Sequence, residues 1–302
     1  YDNNYLCAVE HVNSSKIDQR IWHITAKQVV LATGAIERPF VFKNNDLPGI
    51  MLANSVQTYI SRFGVRCGKD AVVFTNNDSA YQVAFDMKAA GINVKAIIDI
   101  RKTSPFEGRT DIPIFTQSVI LEAQGKNHIK SVTVSQIKSD EQSVYRVKQI
   151  ISCDLLAVSS GWTPSVHLHS QAGGKLSFDD DKACFVPTTT EQNNVSIGAC
   201  NGDFSFDISS ISKKWEIENG IGKSSYVDFL EDVSALDIRI AAKEGMSSVE
   251  LLKRYTTVGM GVDQGKTSNV NAIGILANAL DKPIDLVGTT RFRAPYTCVN
   301  FG

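Results

Sequence analysis

A chain of 302 residues with 43% hydrophobic and 21% charged residues is long enough for one large α/β domain and a smaller one. Its formal net charge is −1, and its Lys and Arg residues are scattered among Asp and Glu, so a basic face that would bind nucleic acid is not expected. No apolar run reaches the roughly 18 residues that a membrane-spanning helix requires, so no membrane partner is expected either.

Hydrophobic periodicity divides the chain into a strand-rich part and a helical part. In chain order, the strand-rich part is predicted to contain a strand at 28–32 covered on both faces, a βαβ unit at 70–98 with its helix at 78–90, a β-meander at 116–151, and buried strands at 155–158 and 195–198. From about Lys213 the pattern predicts helices. These include capping boxes at Ser234–Asp237 and Ser247–Glu250 and a longer helix from Ser268 to Leu280.

These elements predict an α/β fold built from two dinucleotide-binding domains, followed by a small helical domain. Residues 1–68 and 153–222 are assigned to the first dinucleotide-binding domain. Residues 69–152 form a second, inserted one, and residues 223–302 form the helical domain.

The cysteines and histidines give no sign of a metal site. Six cysteines are widely separated and form no C-x-x-C pair, which favours free buried thiols in a reducing compartment and hence a cytoplasmic protein. His167 and His169 lie two residues apart, which predicts one face of a strand, but nothing nearby completes a metal-binding set.

Three predicted strands end in glycine-containing turns. The turns are Thr33-Gly34-Ala35, Ser160-Gly161-Trp162 and Gly198-Ala199-x-x-Gly202. A glycine at the end of a buried parallel strand lets the backbone approach a cofactor closely, because no Cβ intervenes. The order and spacing of the three turns resemble the two-dinucleotide-domain flavoproteins that include the disulfide reductases. In that family the late glycine segment lies along the cofactor's pyrophosphate and ribitol.

Two departures from that family affect the expected cofactors. The pyrophosphate-binding G-x-G-x-x-G is not found in this chain, and the late segment Ile197–Gly202 lacks the acid that contacts the flavin ribitol. Losing that carboxylate leaves room for a dinucleotide other than FAD. In the second βαβ unit, Asn76 and Asn77 replace the glycine loop, and Asp99 stands where a ribose-binding acid belongs. We interpret this second site as degenerate.

Longer motifs resemble the alpha chain of heterotetrameric sarcosine oxidases. The matching segments are Val29–Pro39, Asn44–Met51, Thr75–Tyr81, Leu252–Met260, Asp263–Asn269 and Val287–Thr297. The resemblance covers essentially the whole chain. It implies a fragment at both ends, lacking its first βα unit and a C-terminal folate-binding domain of the aminomethyltransferase type after Thr297.

The resemblance implies a flavin-dependent enzyme complex that oxidatively demethylates sarcosine to glycine, releases hydrogen peroxide and passes the one-carbon unit to tetrahydrofolate. The alpha chain would bind NAD without turning it over, and a beta subunit would supply FAD and covalent FMN, beside gamma and delta subunits. The expected cofactor-binding residues of the first domain are Thr33, Gly34, Ala35, Gly198, Ala199, Gly202 and Phe204. No residue of this chain is expected to act as a catalytic acid, base or nucleophile.

Residues 226–282 resemble a small [2Fe–2S] domain of the bacterioferritin-associated ferredoxin type. The positions of its four cysteines carry Asp228, Leu230, Asp263 and Ser268, and leucine cannot bind iron, so no cluster is expected. Lys266, Thr267 and Ser268 suit a phosphate, and two interpretations stay open: contact with the FMN phosphate at the beta-subunit interface, or ordinary helix capping. The G-x-x-x-G-K spacing is one residue short of a P-loop.

Two alternative functions are also consistent with the sequence. The chain could be the alpha subunit of a related proline, opine or cyanide-forming dehydrogenase, although those enzymes usually keep the cluster cysteines. It could also be a non-catalytic scaffold that carries NAD.

Overall fold

The computed structural model describes residues 1–12, 14, 16–138, 143–204, 214–217 and 224–290. The strands are β1 (Tyr5–His11), β2 (Gln19–Thr25), β3 (Val29–Leu31), β4 (Ala35–Glu37), β5 (Ile50–Leu52), β6 (Asp70–Thr75), β7 (Asn93–Asp99), β8 (Ile114–Phe115), β9 (Ser118–Gly125), β10 (Ile129–Ile137), β11 (Val144–Ser152), β12 (Leu155–Ser159), β13 (Trp162–Pro164), β14 (Leu176–Asp179), β15 (Cys184–Pro187), β16 (Asn194–Ser196), β17 (Tyr226–Asp228) and β18 (Val233–Ser234). The helices are α1 (Ala53–Phe63), α2 (Ser79–Ala89), α3 (His167–Gln171), α4 (Ala235–Lys243), α5 (Val249–Thr256), α6 (Asn269–Ala279) and α7 (Ile284–Val287), and Gly198–Asn201 form a 3₁₀ turn.

A five-stranded parallel sheet in the order β5-β12-β6-β7-β8 forms the centre of the strand-rich part. Alternate residues of β6 face opposite sides, and both sides are buried. Ala71 and Val73 pack against α1 and α2, whereas Val72 and Phe74 pack against β9 and β10. The predicted βαβ unit and the antiparallel meander β9-β10-β11 are therefore confirmed.

The sheet divides the strands differently from the predicted domain limits. β5 and β12 were assigned to the first dinucleotide domain, within 1–68 and 153–222, but both pair inside the sheet of the inserted unit. Leu155 to Ser159 lie in register with Ala71 to Thr75. The reason is that β12 inserts between β5 and β6, a crossover that local sequence patterns do not show.

The remaining strands of the first part form small two-stranded sheets. β3 pairs in parallel with β16, β4 pairs antiparallel with β13, and β14 pairs with β15. The prediction that the strand at 28–32 is covered on both faces is wrong: Val29 and Leu31 are buried, but Val30 is 54% exposed. Val195, its register partner on β16, is 40% exposed on the same face.

The helical part has its own core, formed mainly by α4, α5 and α6. The same core includes Val41, Ala183 and Phe185 from the strand-rich part, so buried contacts cross the predicted boundary at 222. The capping box of Ser234 and Asp237 at the start of α4 is confirmed. The second predicted box is displaced by one residue, because Ser248 rather than Ser247 caps α5.

The histidine and cysteine expectations need correction at three residues. His167 and His169 lie in the short helix α3, not in a strand, and both are buried. Cys7 is an exposed thiol on β1, whereas Cys153, Cys184 and Cys200 are buried and free. Cys298 lies outside the described residues. Among the described helices, none is both long and apolar enough to cross a membrane.

Candidate functional site

The first and third glycine turns meet beside the β3–β16 pair. The two strands run in parallel, and Ile197 N–H donates to the Leu31 carbonyl just before both chains turn. The Thr33 hydroxyl donates to the Ser165 carbonyl at 2.7 Å. The Cys200 sulfur lies 3.1 Å from the Thr33 hydroxyl oxygen and 3.5 Å from the Ser165 carbonyl oxygen. One cluster of hydrogen bonds thus joins the first turn, the third turn and the segment that follows β13.

Gly34 and Gly198 leave an open space at this junction. Their φ angles are +73° and +62°, values that favour glycine. A Cβ placed on either residue would meet no atom within 4 Å. The carboxyl ends of parallel strands are where α/β folds bind nucleotides, and two bare backbone turns facing open space fit the close approach of a dinucleotide.

The other predicted residues of the first domain are distributed around this space. Ala35 begins β4 and pairs with Pro164, and Ala199 is half-buried in the 3₁₀ turn. Gly202 lies against β15, where a Cβ would be 2.8 Å from a methyl group of Val186. Phe204 packs against the core of the helical part. The structure therefore brings the glycine turns together but places Phe204 at the junction of the two parts.

The late segment has a carboxylate that the motif comparison missed. Asp203 directly follows Gly202, is exposed, and accepts a hydrogen bond from the Asn201 side-chain amide at 3.2 Å. Its position one residue past the family motif explains why the sequence pattern does not reveal it.

The turn of the second βαβ unit is filled by its own side chains. Asn77 is completely buried, and its amide donates to the Ser159 hydroxyl at 3.0 Å. Its side-chain oxygen accepts from the Ser79 hydroxyl at 2.6 Å, at the start of α2. The neighbouring Asn76 amide donates to the Ser160 carbonyl. These amides occupy the place where a glycine loop would receive a phosphate.

Asp99, at the position of a ribose-binding acid, is also engaged. Arg101 donates from Nη2 and Nε to the Asp99 carboxylate at 2.8 to 3.2 Å, and the Tyr81 hydroxyl donates to it at 2.8 Å. Burial, with the Asp99 charge next, raises the pKa of Tyr81 above its usual range. Arg101 also pairs with Asp78 at 2.8 Å. This closed network supports the interpretation of the second site as degenerate.

Two adjacent ionisable residues, Glu37 and Arg38, are both buried, and each is held by hydrogen bonds to other parts of the chain. Asn54 N–H, in the first turn of α1, donates to Glu37 Oε2 at 2.8 Å, and burial raises the pKa of this carboxyl to about 7. The Arg38 guanidinium donates to the Ala183 carbonyl at 2.7 Å and lies 5.7 Å from the centre of the Trp215 ring. Burial lowers the pKa of Arg38 to about 10. Sequence reasoning used both residues as part of a motif but assigned them no role.

In the helical part, the Asp228 carboxylate collects hydrogen bonds from three separate segments. It accepts from Leu230 N–H at 3.0 Å, from Gly259 N–H at 2.8 Å and from the Ser268 hydroxyl at 3.1 Å, and the residue is only 2% exposed. Two of the four positions matched to cluster cysteines, Asp228 and Ser268, are therefore in direct contact. Within the described ranges, no group of three or more His, Cys, Asp or Glu residues could hold a metal ion.

The predicted phosphate-binding residues are not equally available. Ser268 is buried, its hydroxyl is engaged by Asp228, and its side chain makes no capping hydrogen bond to α6. Lys266 and Thr267 are half-buried, so both retain exposed surface.

Comparison with known proteins gives a consistent family assignment. A family model described as the sarcosine oxidase A3 domain matches residues 222–302. The sarcosine oxidase subunit alpha of Corynebacterium sp. (strain U-96) is 38% identical over 355 residues, covering 100% of this chain and 36% of that protein. The subunit alpha of Rhizobium meliloti (strain 1021) is 36% identical over 343 residues, covering 100% of this chain and 34% of that protein.

Among solved structures, L-proline dehydrogenase from P. horikoshii matches with a TM-score of 0.69 at 18% identity, covering 99% of this chain and 61% of that one. This likeness concerns the fold, and it agrees with the predicted α/β dinucleotide-binding class. The chain spans about a third of the length of its sequence relatives. On this similarity in sequence, the chain belongs to the sarcosine oxidase alpha subunit family.

Proposed function

We propose that this chain is part of a flavoprotein oxidase complex that converts sarcosine, water and dioxygen into glycine, a formaldehyde equivalent and hydrogen peroxide. Membership of the alpha subunit family supports the reaction class. The main support for a dinucleotide-binding role of this chain is the junction of the Thr33 and Gly198 turns, where the backbone is not covered by side chains. No described side chain has the geometry of a nucleophile paired with a base at this junction, so the proposed role is binding.

NAD is the proposed ligand of this junction, held by Thr33, Gly34, Ala35 and the Gly198–Gly202 segment. The decisive experiment purifies the full-length alpha subunit alone, releases its cofactor by heat and identifies it by chromatography and absorbance. Colourless protein that releases NAD would support the proposal. Yellow protein that releases FAD would contradict it and would direct attention to the Asp203 carboxylate as a ribitol contact.

FMN is proposed to lie at the interface with a beta subunit that also carries FAD, with Lys266 and Thr267 contacting the FMN phosphate. When bound, the flavin supplies the two-electron chemistry between the amine and dioxygen. Lysine supplies a positive charge and threonine a hydroxyl donor, which suits a phosphate. We extend the proposal to gamma and delta subunits, to tetrahydrofolate as acceptor of the one-carbon unit, and to a cytoplasmic location.

A second candidate is an amine dehydrogenase of the proline or opine type. The fold match to a proline dehydrogenase over 99% of this chain favours keeping it. The assembled complex would distinguish the two when sarcosine, proline and an opine are compared as substrates, each with dioxygen or a dye as electron acceptor. Rapid dioxygen consumption with sarcosine supports the oxidase, whereas dye-dependent turnover of proline supports the dehydrogenase. Absence of turnover with every substrate would favour a scaffold.

A further inference from the structure

A small cavity lies at the junction of the strand-rich and helical parts. Its volume is about 40 Å³. The apolar side chains that line it come from both parts of the chain: Ile36, Val166, Leu176, Phe185, Val270 and Ile273. No sequence motif indicates this space, because the wall is assembled from segments more than 200 residues apart.

Three polar side chains of the wall are engaged in hydrogen bonds: Thr163, Asn269 and Thr290. The Asn269 amide donates to the Gln264 carbonyl and to the Thr290 hydroxyl, both at 3.1 Å. The Thr163 hydroxyl oxygen lies 3.4 Å from a guanidinium nitrogen of Arg38. These contacts satisfy groups that could otherwise hold water in the cavity.

His167 adds no positive charge to this wall. The residue is 4% exposed, and burial, with the Lys266 ammonium second, lowers its pKa to about 4. The ring is therefore neutral at physiological pH. Most of the wall is aliphatic, its imidazole is neutral, and the Lys266 ammonium is a charged group at its edge, so the space suits a small uncharged molecule.

The size and position of the cavity further limit which molecules could occupy it. At roughly 10–15 Å³ for each water-sized molecule, the cavity has room for about three, which is enough for a diatomic gas but not for an amine substrate and its carboxylate. Gly265 and Lys266 line the cavity, and Lys266 is also the proposed contact of the flavin phosphate. The cavity therefore adjoins the region where the flavin is proposed to bind.

We propose that this junction cavity holds dioxygen, the electron acceptor of the oxidase, close to the subunit interface. The inference rests on the proposed function, because of the candidate functions named above only the oxidase requires dioxygen. In that reaction dioxygen receives two electrons and two protons, derived from the oxidised amine, and leaves as hydrogen peroxide. The role of the cavity is binding and local enrichment of the gas, and no bond forms or breaks in it.

The direct test uses crystals of the assembled complex pressurised with xenon, which occupies apolar cavities. A xenon peak surrounded by Leu176, Val270 and Ile273 is the expected result. The Val270→Phe variant should lose the peak, and Val270→Leu offers a milder filling if the larger side chain impairs folding. Absence of xenon in the unmodified complex would overturn the proposal. Binding of acetate in the cavity of crystals soaked with that anion would also overturn it.

A kinetic test separates this inference from the proposed function. In Val270→Phe, kcat/KM for dioxygen should fall several-fold, while the rate of sarcosine oxidation with a dye as acceptor stays unchanged. Val262→Phe, an exposed position in the same helical part, is the matched control and should change neither value. An unaltered kcat/KM for dioxygen in Val270→Phe would refute the cavity. Loss of sarcosine turnover with both acceptors in the unmodified complex would instead refute the proposed function.

Discussion

Replacing Glu37 with glutamine should make the protein more stable at alkaline pH. Glu37 is almost completely buried beneath α1, and no basic side chain contributes to the shift of its pKa. Its pKa rises from an ordinary 4.5 to about 7 because burial outweighs the hydrogen bonds from the Ser159 hydroxyl and Asn54 N–H. Glutamine has the same shape and keeps an oxygen to accept from Asn54, but it never ionises.

The size and sign of the effect follow from that pKa. Each factor of ten in ionisation corresponds to about 1.4 kcal/mol, so ionising this carboxyl in the native state costs roughly 3 kcal/mol. Between pH 4.5 and about 7 the native protein keeps the proton that the unfolded chain has released. The unfolded state therefore binds fewer protons, and the free energy of unfolding falls as pH rises through this window and levels off above it.

Urea unfolding followed by tryptophan fluorescence at a series of pH values measures this effect. The stability of Glu37→Gln relative to the unmodified protein should increase by about 2 to 3 kcal/mol between roughly pH 5 and pH 8. Glu107→Gln, at an exposed position, is the matched control and should show no such trend. A Glu37→Gln difference that stays constant with pH would refute the reasoning, because it would mean that the native carboxyl titrates as in the unfolded chain.

Three further predictions concern the nucleotide turns, the Asp228 centre and the phosphate contact. Gly198→Ala should lower the NAD content of the purified alpha subunit, measured by heat release. Gly64→Ala is the matched control, because Gly64 also has a positive φ and open surroundings but lies away from the site. It should incur the same strain of about 1 kcal/mol without losing NAD. Asp228→Ala leaves buried donors without an acceptor and should lower the free energy of unfolding by about 3 kcal/mol in urea titrations. A loss well below about 1 kcal/mol would contradict the role of Asp228 as the acceptor that joins these segments. Lys266→Met should reduce the FMN bound per assembled complex, measured by absorbance, whereas exposed Lys282→Met should not, and equal FMN content in both would exclude the contact.

Sequence patterns predicted the helices and strands that are determined by residues close together in the chain. The strand β6 contains the continuous apolar run Ala71–Phe74, α2 ends beside Gly91, and Ser234 with Asp237 forms a capping box within four residues. These features depend on periodicity and on side chains near in sequence, so they can be derived without the rest of the chain.

Predictions failed where distant segments decide the environment. β12 lies between β5 and β6, so the sheet cannot be divided at the residue numbers that composition suggested. The continuous apolar run around Val30 does not show that one face of β3 is exposed. His167 and His169 are two residues apart in either a strand or a helix, and the packing of α3 decides between them.

The candidate site shows the same limit. The glycine turns at Gly34 and Gly198 were predictable because glycine has a local conformational meaning. The contact between Thr33 and Cys200 was not, because 167 residues separate them and neither side chain has a distinctive pattern. Ser268 is similar: its position at a helix start suggested capping, but a carboxylate 40 residues earlier takes its hydroxyl.

The asparagines of the Asn44–Met51 motif illustrate how a segment can identify a family without contacting a ligand. The Asn45 amide donates to the Tyr226 carbonyl at 2.8 Å and its oxygen accepts from Tyr226 N–H at 2.8 Å, so one side chain imitates a paired strand. Asn271 of α6 donates to the Pro39 carbonyl at 2.9 Å. These bonds attach the helical part to the segment that follows β4, within a few residues of the Thr33 turn. The proposed nucleotide junction and the proposed flavin contact are thereby held in one framework by hydrogen bonds that cross the predicted boundary at residue 222.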